Sequence, residues 1–410
     1  MTYVTAASHP RRLVALISHL CMGRHRSQPA IDFPQSDPIF SKSAARKRYD
    51  SFSHRLSTLD ANLSALYEQQ DARKMTAILD PTHSGLYCRE GDFYIDPRRP
   101  VKRAVITHAH ADHVRWGCQS YLSTPESRGL LRARLGQGAK IETLDYGERL
   151  TVNGVGLSLH PAGHILGSAQ VRVDQSGQVC VVSGDYKDDA DPTCKPLETL
   201  RCHTFISEST FGLPIFKWPR QKDVMQDIRS WWQANREEGR TSILFAYALG
   251  KAQRVLAGLD PAPGPILTHA AVEKINQCYR EAGIRLPATH YLGGVDNRRL
   301  LKQALVIAPP SADRPSWLKR FPQPSRAFAS GWMRIRGNRR RRAVDRGFVL
   351  SDHSDWEGLT QTISATRAES IGLTHGYAGE MARWLREKGC QADVVVMPAA
   401  EADAGDGETS

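Results

Sequence analysis

An α/β fold is what this sequence predicts, on three observations. Short apolar runs that read as strands recur from Gly85 to near residue 398, separated by turns. Between them lie segments of helical spacing, the clearest at residues 223–236, where Val224, Ile228, Trp231 and Trp232 share a face. Histidines and aspartates gather at the ends of the strand-like runs. At 410 residues the chain is long enough for two domains with substantial cores.

In chain order, residues 1 to about 75 mix Ser, Arg, Gln and Pro without a sustained period, apart from a weak helical pattern through Leu56, Leu59, Leu63 and Leu66. Met75 stands just before the first convincing strand material, so this stretch reads as a poorly structured or helical arm, or as an upstream extension. Residues 86–88, 92–95 and 104–106 read as strands, 125–135 as a helix, and 157–160, 169–173 and 179–183 as further strands. From about 211 to 345 helices alternate with short apolar strands at 242–245, 265–267 and 304–308. Trp231 and Trp232 read as core here, with nucleic-acid stacking as the alternative. This stretch ends in a basic cluster, Arg334, Arg336 and Arg339 to Arg342. Strands resume at 347–350, 370–373 and 394–396, and the small, acidic tail 399–410 reads as disordered. The sequence shows no internal repeat.

Composition narrows the class of protein. A net charge of +12 favours an anionic partner over an acidic or neutral one. Eight scattered cysteines without a C-x-x-C pair point to reduced thiols in the cytoplasm, not to a disulfide framework or a zinc ribbon. No stretch is apolar for long enough to span a membrane. Arg11-Arg12 precedes an apolar run, but His19 interrupts it and no small-residue cleavage site follows, which argues against a secretory signal.

The most informative six residues are His108-Ala-His110-Ala-Asp112-His113. The apolar run 103–107 before them places the ligands at a strand's C-terminal end. His108 and His110 alternate by two and share one side of extended chain. Asp112 and His113 continue into the loop, where they can face a second ion. Three later segments add ligands at strand ends: His164 in a glycine turn, Asp185 placed to bridge two ions, and His375. Each is weak alone. Together the seven make enough ligands for two cations with a position left for water.

With these residues in view, the chain resembles the metallo-β-lactamase superfamily in its β-CASP nuclease branch, from about residue 84 to about 398. The H-x-H-x-D-H run carries the superfamily. The branch is carried by the segments Ile206–Gly212, Tyr247–Arg254, Leu350–Asp355 and Thr374-His375-Gly376, in the family's order. Within the branch the chain is most similar to bacterial ligase-associated DNA exonucleases, also described as mRNA 3′-end processing factors.

The resemblance implies a four-layer αβ/βα metallo-β-lactamase sandwich with an inserted β-CASP α/β cap domain. The sandwich would be built from 84–210 and 346–398, and the cap from 211–345. It implies one zinc on His108, His110 and His164, another on Asp112, His113 and His375, and Asp185 bridging both, with Mn2+ as an alternative metal. Glu208 and His353 match the pair that handles the leaving group. Asp96 matches a carboxylate that orients the ligand loops, the other reading being a turn Asp before Pro97. Two zinc ions would supply hydroxide near neutral pH and screen the phosphoryl oxygens.

The implied activity is a zinc-dependent nuclease, with a DNA exonuclease in repair favoured. RNA processing at mRNA 3′ ends is the first alternative and a small-molecule metallohydrolase the second. The resemblance also implies a functional link to an ATP-dependent DNA ligase and a helicase, and no membrane partner. For contacts with nucleic acid, Lys251 and Arg254 open a helix after an apolar strand, a setting suited to phosphate. Arg334, Arg336, Arg339 and Arg340 would track the backbone, with a solvated basic loop as the other reading.

Overall fold

The protein's structure, a computed structural model, describes residues 78–259 and 261–398, the side chains of 338 and 339 excepted. The arm before residue 78, with its leucine pattern, and the tail 399–410 lie outside the described residues. Among the described residues the chain forms three sheets, of six, seven and six strands.

The first sheet runs in sequence order through β1 (Asp80–Thr82), β2 (Gly85–Cys88), β3 (Phe93–Ile95), β4 (Arg103–Val105), β5 (Ser120–Ser123) and β6 (Ile141–Thr143). The second takes an antiparallel meander, β7 (Arg149–Val152), β8 (Val155–Pro161), β9 (Ala169–Gln175) and β10 (Gln178–Val182). Beyond β10 it continues in parallel with β11 (Thr204–Glu208) and two strands from the end of the chain. The third sheet is entirely parallel, and its strands come from the stretch between: β12 (Ser242–Phe245), β13 (Ile266–Thr268), β14 (His290–Tyr291), β15 (Leu305–Ala308), β16 (Ser325–Ala329) and β17 (Arg346–Phe348). The last two strands of the second sheet are β18 (Ser370–Thr374) and β19 (Gln391–Val394).

The helices are α1 (Arg128–Leu135), α2 (Gln221–Glu237), α3 (Lys251–Gly258), α4 (Ala270–Glu281), the single turns α5 (Arg298–Leu301) and α6 (Pro315–Leu318), α7 (Arg336–Arg341), α8 (Trp356–Thr366) and α9 (Ala378–Glu387). Packing explains their positions. Inward residues of the first two sheets, among them Leu86, Phe93 and Val105 against Leu157, Val171 and Ile206, form one core between the sheets. The outer face of the second sheet buries Val181, Phe205 and Ile371 under Leu359 and Ile363 of α8 and Met381 and Leu385 of α9. The outer face of the first sheet buries Ala104, Ile106 and Tyr121 under α1. The resulting order is helix, sheet, sheet, helix.

The third sheet is covered on both faces, as an all-parallel sheet requires. Its central strands are therefore largely apolar: Ser242-Ile-Leu-Phe245 and Leu305-Val-Ile-Ala308 are buried at every position. On one face α2 packs Val224, Ile228 and Trp232 against Leu244 and Ile307, so the tryptophans are core residues. Their indole nitrogens are satisfied inside, Trp231 donating to Ser325 Oγ (3.1 Å) and Trp232 to Gln303 O (3.0 Å).

The sequence reading differs from the structure at several elements. It contains no β1, β5, β6, β7, β11, β14 or β16 and no α4, α8 or α9, and it places the last strand at 394–396 where β19 ends at Val394. β7 shows three exposed residues and β6 none fully buried, so neither carries the apolar pattern that marks a strand.

Candidate metal centre

The site lies where parallel strands end together. Because β10, β11 and β18 are hydrogen-bonded in parallel, Asp185, Glu208 and His375 emerge at one edge of the second sheet. Residues 106–113 arrive from β4 of the first sheet, and His164 from the turn between β8 and β9. Two glycines make these approaches possible. Gly163 has φ 74°, and a Cβ there would lie 2.2 Å from Lys187 O. Gly376 has φ 56°, and a Cβ there would lie 2.3 Å from Thr210 Cα. His375 itself has φ 57°, a conformation few non-glycine residues adopt, and Ser209 Oγ donates to its carbonyl at 2.7 Å.

The structure brings His108, His110, His164 and Asp185 together, with ligand atoms all within 4.8 Å of one another. His108 Nε2 and His164 Nε2 lie 3.0 and 3.1 Å from His110 Nδ1. They lie 3.4 and 3.7 Å from Asp185 Oδ2. Donors about 2.0–2.1 Å from a tetrahedral ion stand about 3.3 Å apart, so these spacings suit one cation. A second group holds His113, Asp185 and His375. Here His113 Nε2 faces the other oxygen, Asp185 Oδ1, at 3.5 Å. Asp185 therefore turns one oxygen to each group. Asp112 stands at the rim, its side chain 73% exposed and its Oδ2 3.9 Å from His113 Nε2.

Outer hydrogen bonds fix which ring nitrogen turns inward. His108 Nδ1 contacts Thr107 Oγ1 (3.1 Å), which in turn donates to Asp96 Oδ2 (2.5 Å). Asp96 also accepts from Thr107 N (2.8 Å) and contacts His113 Nδ1 (2.7 Å). His164 Nδ1 donates to the Asp352 carbonyl (2.7 Å), and His110 Nε2 reaches Leu249 O (3.3 Å). Each imidazole thereby presents its remaining nitrogen to the cluster, the arrangement metal-binding histidines need.

The electrostatics fit cations too. Burial, reinforced by neighbouring imidazoles, holds His108 and His164 well below their usual value, so their lone pairs are free for an ion. Burial would raise the Asp185 carboxyl, but His113, His353 and His108 outweigh it and keep it ionised. Burial would likewise lower His113, yet Asp185 and Asp96 push it up to about 10, a mark of surplus negative charge on that side. Among the described residues His113 Nε2 is buried without a hydrogen-bond partner. A divalent cation would satisfy it by displacing its proton.

Glu208 and His353 meet beside the clusters. His353 Nδ1 lies 2.9 and 3.0 Å from the two Glu208 oxygens, and Tyr186 N donates to Glu208 Oε1 at 2.7 Å. Burial would lower His353, but Glu208 and Asp185 raise it to about 9. Its Nδ1 is 4.0 Å from Asp185 Oδ2. All of this opens into a cavity of about 820 Å³ lined by His110, Asp112, Asp185, His353 and His375 on one side and by Tyr247, Lys251 and Trp332 on the other.

No family model matches the chain. It is similar to a protein named "Probable DNA ligase" from Opitutus terrae, 31% identical over 311 residues, covering 75% of this chain and 30% of that protein. It is also similar to endoribonuclease YSH1 of Gibberella zeae, 27% identical over 286 residues, or 67% of this chain and 32% of that one. The Saccharomyces cerevisiae endoribonuclease YSH1 is 33% identical over 125 residues, 30% of this chain and 16% of that one. The chain thus spans about a third of the first two relatives and less of the third.

At the start of α3, where phosphate contacts were expected, both cationic side chains meet carboxylates. Lys251 Nζ is buried 2.7 Å from Asp352 Oδ1, and Arg254 is buried 3.4 Å from Asp191 Oδ2 and 3.0 Å from Gln221 Oε1. Gly250 N donates to Gln253 Oε1 (2.8 Å). These cations are spent on buried carboxylates, which burial without a partner would make costly. Arg334, Arg336 and Arg340 are exposed, and Arg334 Nε also donates to Ile215 O (3.3 Å). The Arg339 side chain lies outside those described. Residues the sequence did not single out are Thr107, Asp352 and the aromatic walls Phe211, Tyr247, Trp332 and Tyr377. Phe211, Tyr247 and Asp352 lie inside the segments that carry the resemblance, but the contacts of Asp352 with Lys251 and His164 join residues far apart in sequence. Among the described residues no helix is long and apolar enough to cross a membrane.

Proposed function

We propose that this protein is a two-metal nuclease of the β-CASP branch of the metallo-β-lactamase superfamily, acting as a DNA exonuclease in repair. The observation that carries the reading is the Glu208–His353 pair set against two ligand groups that share Asp185. In this reading His108, His110 and His164 hold one ion, Asp112, His113 and His375 the other, and zinc suits the imidazole-rich donor set, with manganese as the alternative. The first two sheets with their helices form the catalytic sandwich, and the third sheet is the inserted cap.

Bound divalent cations would supply hydroxide near neutral pH and screen charge on the phosphoryl oxygens. The chain's own residues do the rest. Asp185, which turns one carboxylate oxygen to each ligand group, would help hold both ions. His353, held protonated by Glu208, gives its proton to the leaving oxygen. Glu208, anchored by Tyr186 N, keeps the imidazole oriented. Tyr247 and Trp332 wall the cleft opposite.

Similarity to a protein named as a DNA ligase favours DNA and a partnership with a ligase; similarity to endoribonucleases supports RNA as the second reading. The deciding experiment incubates metal-loaded protein with end-labelled single-stranded DNA, duplex DNA and RNA. Stepwise shortening of DNA supports the proposal. Cleavage of RNA alone moves the assignment to RNA processing, and intact substrates throughout reject a nuclease.

A further inference from the structure

Next to the metal cleft lies a second cavity of about 540 Å³, lined by Trp332, Ile335, Arg341, Arg342 and Tyr377. Its size falls in the range of small-ligand sites, roughly 300–1,000 Å³. Trp332 lines both cavities, and Tyr377 is two residues past His375, with its N–H tied to Ser209 O at 2.9 Å. The two spaces therefore share a wall, and the loop that ends in a metal ligand also supplies the second cavity.

The aromatic walls are held in place from behind. Trp332 packs on Phe211 and Phe216 with ring centroids 4.9 and 5.6 Å away, and Tyr377 lies 5.7 Å from Phe216. Trp332 and Tyr377 face each other across 6.5 Å with planes inclined at 50°. Both rings are half-buried, and Trp332 also packs against the core on one face of the third sheet. Arg342 lies over the Phe328 ring, 4.1 Å from its centroid, which steadies a guanidinium at the cavity's edge. Among the described residues no acidic side chain lines it, and Arg334, Arg336 and Arg340 extend the same charge along the neighbouring turn and helix.

We infer that this cavity is a nucleotide subsite, taking one nucleobase against Trp332 and Tyr377 and its phosphate against Arg341 and Arg342. The occupant is the nucleotide next to the scissile phosphate, and the inference rests on the nuclease reading above. A flat π-face bearing an anion is the chemistry that two fixed rings and two guanidinium groups accept together, and stacking does not depend on base identity. The site thus grips one position of any strand while its phosphate neighbour lies at the metals.

The test uses full-length, metal-loaded protein and a set of single-stranded DNA oligonucleotides, each with an abasic sugar at one of the last three positions at either end. Loss of one base from the subsite should raise KM about 5- to 150-fold at that position alone, with little change in kcat. Trp332→Ala should shrink the KM difference between intact and abasic strands to what Tyr377 alone supplies, whereas Trp332→Phe should keep most of it. The abasic series leaves the protein unchanged, so misfolding of a variant does not decide the outcome. Equal KM across the whole series overturns the subsite while leaving the nuclease standing. Failure to cleave any oligonucleotide overturns both.

Discussion

Lys251 and Asp352, 101 positions apart in the chain, form a buried ion pair with Nζ 2.7 Å from Oδ1. The pair joins the first residue of α3, which packs on the third sheet, to the residue just before His353. The main-chain carbonyl of the same Asp352 accepts the Nδ1 proton of His164. One residue thus ties the cleft's opposite wall to a metal-facing imidazole and stands next to the His353 imidazole.

Lys251→Met should therefore destabilise the protein by about 3–5 kcal/mol, because it leaves a buried carboxylate without its cation. Asp352→Leu in the same background should recover much of that loss. Chemical denaturation of the two single variants and the double variant measures it; strictly additive losses would show that the pair is not coupled.

Asp185→Ala should lose both metals and activity, since one oxygen faces each ligand group. His353→Ala should keep both metals and lose about 10²- to 10⁴-fold in turnover, the share of a proton donor. Elemental analysis alongside single-turnover rates separates the two. Chelation should abolish activity and added zinc or manganese should restore it; turnover surviving thorough chelation would refute the mechanism.

Asp96→Asn should weaken metal binding about 10- to 100-fold. Its carboxylate reaches His113 directly and His108 through Thr107, so its loss frees two imidazoles to rotate. Competition with a metallochromic chelator reads the affinity, and an unchanged value would make Asp96 a turn residue only.

Glu273, on α4, predicts an acid-dependent contribution to stability. Burial would raise its pKa, but hydrogen bonds from Thr268, Thr289, Arg280 and Asn276 outweigh burial and hold it below its ordinary 4.5. A folded-state pKa below the unfolded one means the unfolded chain binds more protons in acid. The stabilisation is thus present above pH 4.5 and fades as pH falls through the lowered value. Glu273→Gln should flatten the stability curve below pH 4.5 and cost about 1–2 kcal/mol at neutral pH. Urea titrations at several pH values test both parts.

Read from the chain alone, the candidate ligands and the alternation of helices with short apolar strands from 211 to 345 are already legible. Three histidines and an aspartate within His108–His113 state a metal chemistry locally, and strands buried on both faces, such as 242–245 and 305–308, read as largely apolar runs. Tertiary structure alone decided what surrounds those ligands. Whether Lys251 and Arg254 face a phosphate or a buried carboxylate depends on Asp352 and Asp191, which lie far off in sequence. Whether Trp332 is core or cavity wall depends on Tyr377 and the phenylalanines behind it. Periodicity and spacing are properties of neighbours along the chain, whereas charge compensation and cavity walls arise only from which distant side chains meet when the sheets pack.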